Sequence, residues 1–182
     1  VLKHTPGNTV SNLSSSRALK DVTEAYGQQY HAAAVGEVNV VAEMKRTHSV
    51  IGGEGNGGVI YPESHYGRDA LVGVGLFLSH YVAQSKKMTE LKSTYPQYFI
   101  SKNKMTLSPD MDVDKILEGL KERYATEKVT DIDGVKIDFA QGWVHLRKSN
   151  TEPIIRIYSE AKDEAAANQL AEEVIAAAKS TF

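Results

Sequence analysis

The chain has 182 residues, 41% of them hydrophobic and 24% charged, with no cysteine; this is the make-up of a globular protein of one large or two small domains that buries roughly 70% of its unfolded surface. A net charge of −2 excludes a general nucleic-acid or membrane-surface binder, which needs a basic excess, and no window approaches the ~20 apolar residues of a membrane-spanning helix. The lack of cysteine excludes disulfides and thiolate chemistry and fits a reducing compartment, so a cytoplasmic location is expected.

The opening VLKHTPGNTV does not read as a signal peptide. A chain that starts at Val1 rather than Met and enters a strand almost at once reads as an excised piece of a longer one. NTVSNL is the first expected strand. SSSRALKDVTEAYG follows as a helix with a serine cap, Leu19, Val22 and Tyr26 on one face, and Gly27 as its stop. A strand near YHAAAV, a turn at Gly36, a helix through Val38, Val41 and Met44, and a strand at HSVIGG come next. After a glycine-rich loop and VIYPES, an apolar helix runs from its cap Asp69 to about Gln84. Such alternation predicts a mixed, mostly parallel α/β sheet covered by helices.

The polar stretch over residues 86–104, with a short helix and then Pro96, marks a domain boundary. Beyond it lie a strand and a helix capped by Asp112, with Val113, Ile116, Leu117, Leu120 and Tyr124 facing inward. Three strands follow: VTDIDGVKIDF with its Asp133–Gly134 turn and alternating Val135, Ile137 and Phe139, then GWVHLRK, then PIIRIYSEA. An alanine-rich helix with Leu170, Val174 and Ala178 on one stripe closes the chain. The order predicts a small α+β domain: an antiparallel four-stranded sheet backed by two helices.

Several chemical signatures fail on context. GEGNGG, Gly53–Gly58, satisfies the G-x-G-x-x-G dinucleotide pattern, but that pattern acts between a strand and a helix, and here VIYPES resists helix. DMDVDKILEGLK opens like a calcium loop at Asp110, Asp112 and Asp114, yet has Lys115 where glycine is required and Lys121 where a bidentate Glu is required. It reads instead as a helix cap with an acidic first turn. The histidines lack zinc-ligand spacing, and Ser14–Ser16 lack the glycine flanks of a nucleophile elbow.

Two signals remain. GGEGNGG has five glycines in seven residues, each with an ordering cost. It is either a tight turn or a loop whose backbone approaches a ligand closely and presents Glu54 and Asn56, groups suited to neighbouring hydroxyls. RKSNTEPIIRIYSEA places Arg147 and Arg156 around Ser149, Asn150 and Thr151. Two guanidinium forks, two hydroxyls and exposed loop amides suit an oxyanion. The other reading is a solvated turn whose arginines pair with Glu152 and Glu160.

GGEGNGGVIYPESHYGRDALVG and RKSNTEPIIRIYSEA closely resemble the sugar-binding and phosphate-binding loops of the α-D-phosphohexomutase superfamily, the phosphoglucomutase/phosphomannomutase enzymes, and TVSNLSSSRALKDV and AVGEVNVVAEM resemble its third domain. The resemblance implies that residues 1–99 form domain three and residues 100–182 the C-terminal domain four. It implies that Glu54 and Asn56 bind sugar hydroxyls, while Arg147, Ser149, Asn150, Thr151 and Arg156 hold the non-transferring phosphate of a glucose, mannose or glucosamine phosphate. Family members interconvert hexose 1-phosphates and 6-phosphates through a hexose 1,6-bisphosphate, with a phosphoserine in one N-terminal domain and Mg2+ in the next. The serine loop T-A-S-H-N-P and the metal loop D-G-D-G-D-R are absent here. The resemblance therefore implies a chain inactive alone, dependent on N-terminal domains of the same enzyme; the alternative is a stand-alone phosphosugar-binding or regulatory module. Asn56, where many members have Ser, and Ala33, where many have Thr, leave the preferred hexose open.

Overall fold

The computed structural model describes residues 1–108, 111–149 and 151–180. It divides into two compact units, residues 1–97 and 98–182.

In the first unit, β1 (Thr9–Asn12), α1 (Ala18–Ala25), β2 (Tyr30–Ala33), α2 (Glu37–Thr47) and β3 (Ile51–Gly53) alternate. Strand β1 lies between β2 and β3, parallel to both. Short strands β4 (Val59–Tyr61) and β5 (His65–Arg68) then extend the sheet, in the order β2-β1-β3-β4-β5, with antiparallel pairings. The sheet is mixed as expected, but half of its four pairings are antiparallel rather than most being parallel. The cause is length: five residues separate β3 from β4, whereas a parallel return needs a crossover of about a dozen or more. Val10, Ala33, Val40, Met44 and Ile60 form the buried core. Helix α2 turns Val40 and Met44 inward and leaves Val38, expected on the apolar face, 80% exposed. In α1 it is Thr23 that is buried, its hydroxyl 2.7 Å from that of Thr9, while Tyr26 lies exposed.

Asp69 caps α3 (Ala70–Gln84), its carboxylate accepting from the Val72 amide at 2.9 Å. No charged residue occurs along this helix, and Leu71, Val74, Phe77, Leu78 and Val82 stand exposed. A short helix, α4 (Met88–Ser93), ends the unit.

The second unit is a five-stranded antiparallel sheet in the order β6-β10-β9-β8-β7, with β6 (Phe99–Thr106), β7 (Lys128–Thr130), β8 (Val135–Asp138), β9 (Gly142–Lys148) and β10 (Ile154–Ala161). The sequence reading of four strands took VTDIDGVKIDF as one. Its Asp133–Gly134 turn instead joins two strands, β7 being a three-residue edge arm with Val129 as its one apolar residue, too short to show a period. One sheet face packs Val135, Ile137, Val144, Leu146, Ile155 and Ile157 against α5 (Val113–Arg123) and α6 (Glu164–Lys179). Asp112 caps α5 by accepting from the amides of Asp114 and Lys115. The apolar stripe of α6 is buried at Leu170, Val174 and Ala178 as the spacing predicts.

The other face of this sheet is polar. Along β9 it shows Trp143, His145 and Arg147; opposite on β10 stand Glu160, Tyr158 and Arg156. Trp143 and Glu160 are fully buried, joined by an Nε1–H···Oε1 hydrogen bond of 2.8 Å, with the Lys136 ammonium 4.4 Å from the indole.

Candidate functional site

Two hairpin loops, one in each unit, contain the residues singled out in the sequence. In the first, between β3 and β4, the Glu54 amide donates to the Gly58 carbonyl at 2.9 Å, and Asn56 Oδ1 accepts from the Gly58 amide at 3.0 Å. The fold itself explains two of the glycines. A Cβ on Gly53 would overlap the Gly58 carbonyl, and one on Gly55 would stand 3.1 Å from the Ser14 carbonyl oxygen. The loop must close on itself and lie flat on the β1–α1 turn, so these glycines are needed whether or not a ligand approaches. A cavity of about 300 Å³ is lined by this loop together with Ser11, Ser15, Ser16 and Leu19, a size at the lower end for small-ligand sites.

Glu54 points inward, its side chain 5% exposed. Oε1 accepts from Asn12 Nδ2 at 3.0 Å and from the Gly36 amide at 3.2 Å, and Oε2 accepts from Arg68 Nη1 at 3.3 Å. A carboxylate offers about four acceptor positions, so about one is left for a hydroxyl. Asn56 is exposed at the loop tip. Arg68 is in turn held by Glu37, through Nε at 2.8 Å and its own backbone amide at 2.9 Å. Those two donors keep the Glu37 carboxyl below the usual range. The sequence reading missed Asn12 and Arg68. The signal for Asn12 was its position before three serines, where Oδ1 accepts from the Ser14 amide and the Ser15 hydroxyl.

The second loop joins β9 to β10. The strand register sets Arg147 directly opposite Arg156, on one sheet face with Cβ atoms about 5 Å apart, a like-charge placement that destabilises a bare sheet. Among the described residues each arginine has one carboxylate partner: Arg147 Nη1 lies 3.4 Å from Asp133 Oδ2, and Arg156 Nη2 lies 2.9 Å from Glu152 Oε2. The pairing with Glu152 is one that the alternative reading, a solvated turn, expects. Glu160 instead serves Trp143, and Asp133, from the β7–β8 turn, was not foreseen because its 14-residue separation carries no local pattern. Between the arginines the Ser149 hydroxyl is buried, 3.4 Å from the Thr151 amide and 3.5 Å from the Thr151 hydroxyl, while Thr151 is exposed. Asn150 lies outside the described residues.

Next to Arg147 on the same face, His145 is 2% exposed, with Nε2 2.7 Å from the Asp133 carbonyl oxygen. A carbonyl only accepts, so Nε2 carries the hydrogen. Burial pushes the imidazole pKa down from 6.5 to about 4, with Lys136 and Arg147 adding to the effect against the Asp133 carbonyl.

Residues 1–98 match the family model described as phosphoglucomutase/phosphomannomutase, alpha/beta/alpha domain III, and residues 102–177 match the phosphoglucomutase/phosphomannomutase C-terminal domain. A phosphoglucosamine/phosphogalactosamine mutase from Sulfurisphaera tokodaii is 36% identical over 167 residues, covering 91% of this chain and 37% of that protein. A phosphoglucomutase/phosphomannomutase from Thermococcus kodakarensis is also 36% identical, over 91% of this chain and 36% of its own length. The chain thus spans little more than a third of these relatives. Among solved structures, a phosphoglucomutase/phosphomannomutase family protein from Burkholderia thailandensis superposes with a TM-score of 0.79 at 22% identity, covering 99% of this chain and 39% of that one. An N-acetylphosphoglucosamine mutase from Aspergillus fumigatus, in complex with glucose 1,6-bisphosphate, gives a TM-score of 0.64 at 15% identity, over 96% of this chain and 38% of that one. Both share the fold.

Proposed function

The chain belongs to the phosphoglucomutase/phosphomannomutase family, and on that footing we propose that it is the sugar- and phosphate-binding half of a mutase that interconverts hexose 1-phosphate and hexose 6-phosphate. The β9–β10 loop holds the non-transferring phosphate with Arg147, Ser149, Asn150, Thr151 and Arg156, and the β3–β4 loop offers Glu54 and Asn56 to sugar hydroxyls. The observation that carries the reading is the Arg147–Arg156 register pair. Two guanidinium groups face each other across neighbouring strands, each tied to one carboxylate and each with further N–H groups to donate. A phosphate between them would relieve the repulsion and accept forked, charge-assisted hydrogen bonds.

The phosphoserine that exchanges a phosphoryl group with the sugar, through a hexose 1,6-bisphosphate, belongs in this reading to N-terminal domains of the same polypeptide. The relatives' greater length and the charge-free, exposed face of α3 support such partners. The described residues gather no group of three His, Cys, Asp or Glu that could hold a metal ion. Among the described residues the Mg2+ expected for the family therefore finds no fitting set of ligands, and no step here runs through it. No helix among the described residues is long and apolar enough to cross a membrane, and cytoplasmic action is part of the same proposal.

The test is a titration of glucose 6-phosphate into the 182-residue chain, followed by amide chemical shifts. Shifts should appear at residues 147–156, and Arg147→Ala should weaken binding by roughly tenfold or more, the loss of a hydrogen bond to a charged group. A wild-type spectrum without shifts in that loop would overturn the assignment.

A further inference from the structure

The register that opposes Arg147 and Arg156 continues one strand further. Arg156 on β10 is flanked on its other side by β6, and the residue directly opposite is Lys104. Lys104, Arg156 and Arg147 therefore form one row across three adjacent strands, on one face, close to the end of the sheet where the β9–β10 loop emerges. Side chains at opposed positions of an antiparallel pair share a face, and the neighbouring row shows it: the Lys102 ammonium sits 5.5 Å from the ring of Tyr158, its register partner.

The row is unbalanced in charge. Asp133 answers Arg147 and Glu152 answers Arg156, whereas Lys104 forms no ion pair among the described residues and is exposed. Three cations spaced about 5 Å apart at Cβ repel one another, and a strand position that serves only to face solvent is filled at less expense by Thr or Gln. A phosphate monoester has three terminal oxygens. Two arginine forks can satisfy two of them, and a Lys on a flexible stem is a mobile point charge that can reach a third.

The geometry points to Lys104 as a third cation of the phosphate site, a binding residue contributed by β6 rather than by the loop. The inference rests on the phosphate reading above and assigns to it a residue that no local motif contains. It is tested with the 182-residue chain by titrating inorganic phosphate and, separately, glucose 6-phosphate, following the Ser149 and Thr151 amides. Lys104→Met, which keeps the stem and removes the charge, should weaken both ligands by roughly fivefold, the upper range for a solvent-exposed ion pair. Lys104→Arg should restore most of the affinity, and Lys102→Met, on the same strand and face but one row away, should change it less than twofold. If Arg147→Ala weakens binding while Lys104→Met does not, the assignment of Lys104 fails and the phosphate loop stands. If Arg147→Ala binds like the wild type, or the wild type binds neither ligand, the phosphate reading fails and the role of Lys104 with it.

Discussion

His145 offers a direct measure of how dry the polar sheet face beneath the arginines is. In the folded chain its pKa is pushed down to about 4 from 6.5. A depressed folded value means that the native state resists a proton the unfolded chain accepts. Stability is therefore complete above pH 6.5 and is lost as the pH falls toward 4. Near pH 5 the unfolded imidazole is almost wholly charged and the folded one almost wholly neutral, which linkage converts to about 2 kcal/mol lost relative to pH 7.5. His145→Gln keeps an N–H for the Asp133 carbonyl but cannot titrate, so it should lose about 2 kcal/mol less than the wild type over the same interval. Carboxylates titrating in that window act in both proteins and cancel in the difference. The chain has one tryptophan, Trp143, buried in the same unit, so urea unfolding followed by its fluorescence reports this unit alone. Equal losses in the two proteins would show that His145 is not held neutral by burial.

Two further substitutions probe the buried polar ties. Trp143→Phe removes the indole donor to Oε1 of the fully buried Glu160 and should lower stability by about 1–3 kcal/mol, measured by thermal unfolding with circular dichroism. Glu54→Gln turns one oxygen of a three-fold acceptor into a donor facing donors; it should destabilise the first unit by about 1–3 kcal/mol, seen in its amide spectrum, while the Trp143 fluorescence transition in the other unit stays in place.

What could be read from the sequence follows from the range of each signal. Caps and apolar stripes are local, so Asp69, Asp112 and the Leu170–Val174–Ala178 face were legible. Parallel or antiparallel pairing is not local, and the sheet's second half turned back because the chain between β3 and β4 is short. The loops were legible as composition, and the roles proposed for them come from family resemblance. The anchors of the first were not: Glu54 meets Asn12 and Gly36 across 42 and 18 residues; nor was the position of Lys104 opposite Arg156, which strand register alone sets. Composition left the glycines open between a tight turn and a close approach to a ligand; at Gly53 and Gly55 the atoms they make room for are backbone atoms of the protein itself, as a tight turn requires.

The carboxylates at the arginine pair bear on how such a site would work. Asp133 and Glu152 each engage one guanidinium, with the side chains of the Arg156–Glu152 pair 38% and 50% exposed. An exposed ion pair contributes about 0–1 kcal/mol, too little to compete with a phosphate dianion that takes several charge-assisted bonds at once. It is enough, however, to hold two facing cations in place before a ligand arrives. Glu152 lies within the loop itself and Asp133 on the β7–β8 turn, so the two arginines are steadied from different elements. A phosphate that displaced Glu152 would therefore reorganise the loop alone, leaving Arg147 and Asp133 as a fixed wall. Selective loosening of one side would suit the proposed site, which in that reading admits and releases a phosphate repeatedly.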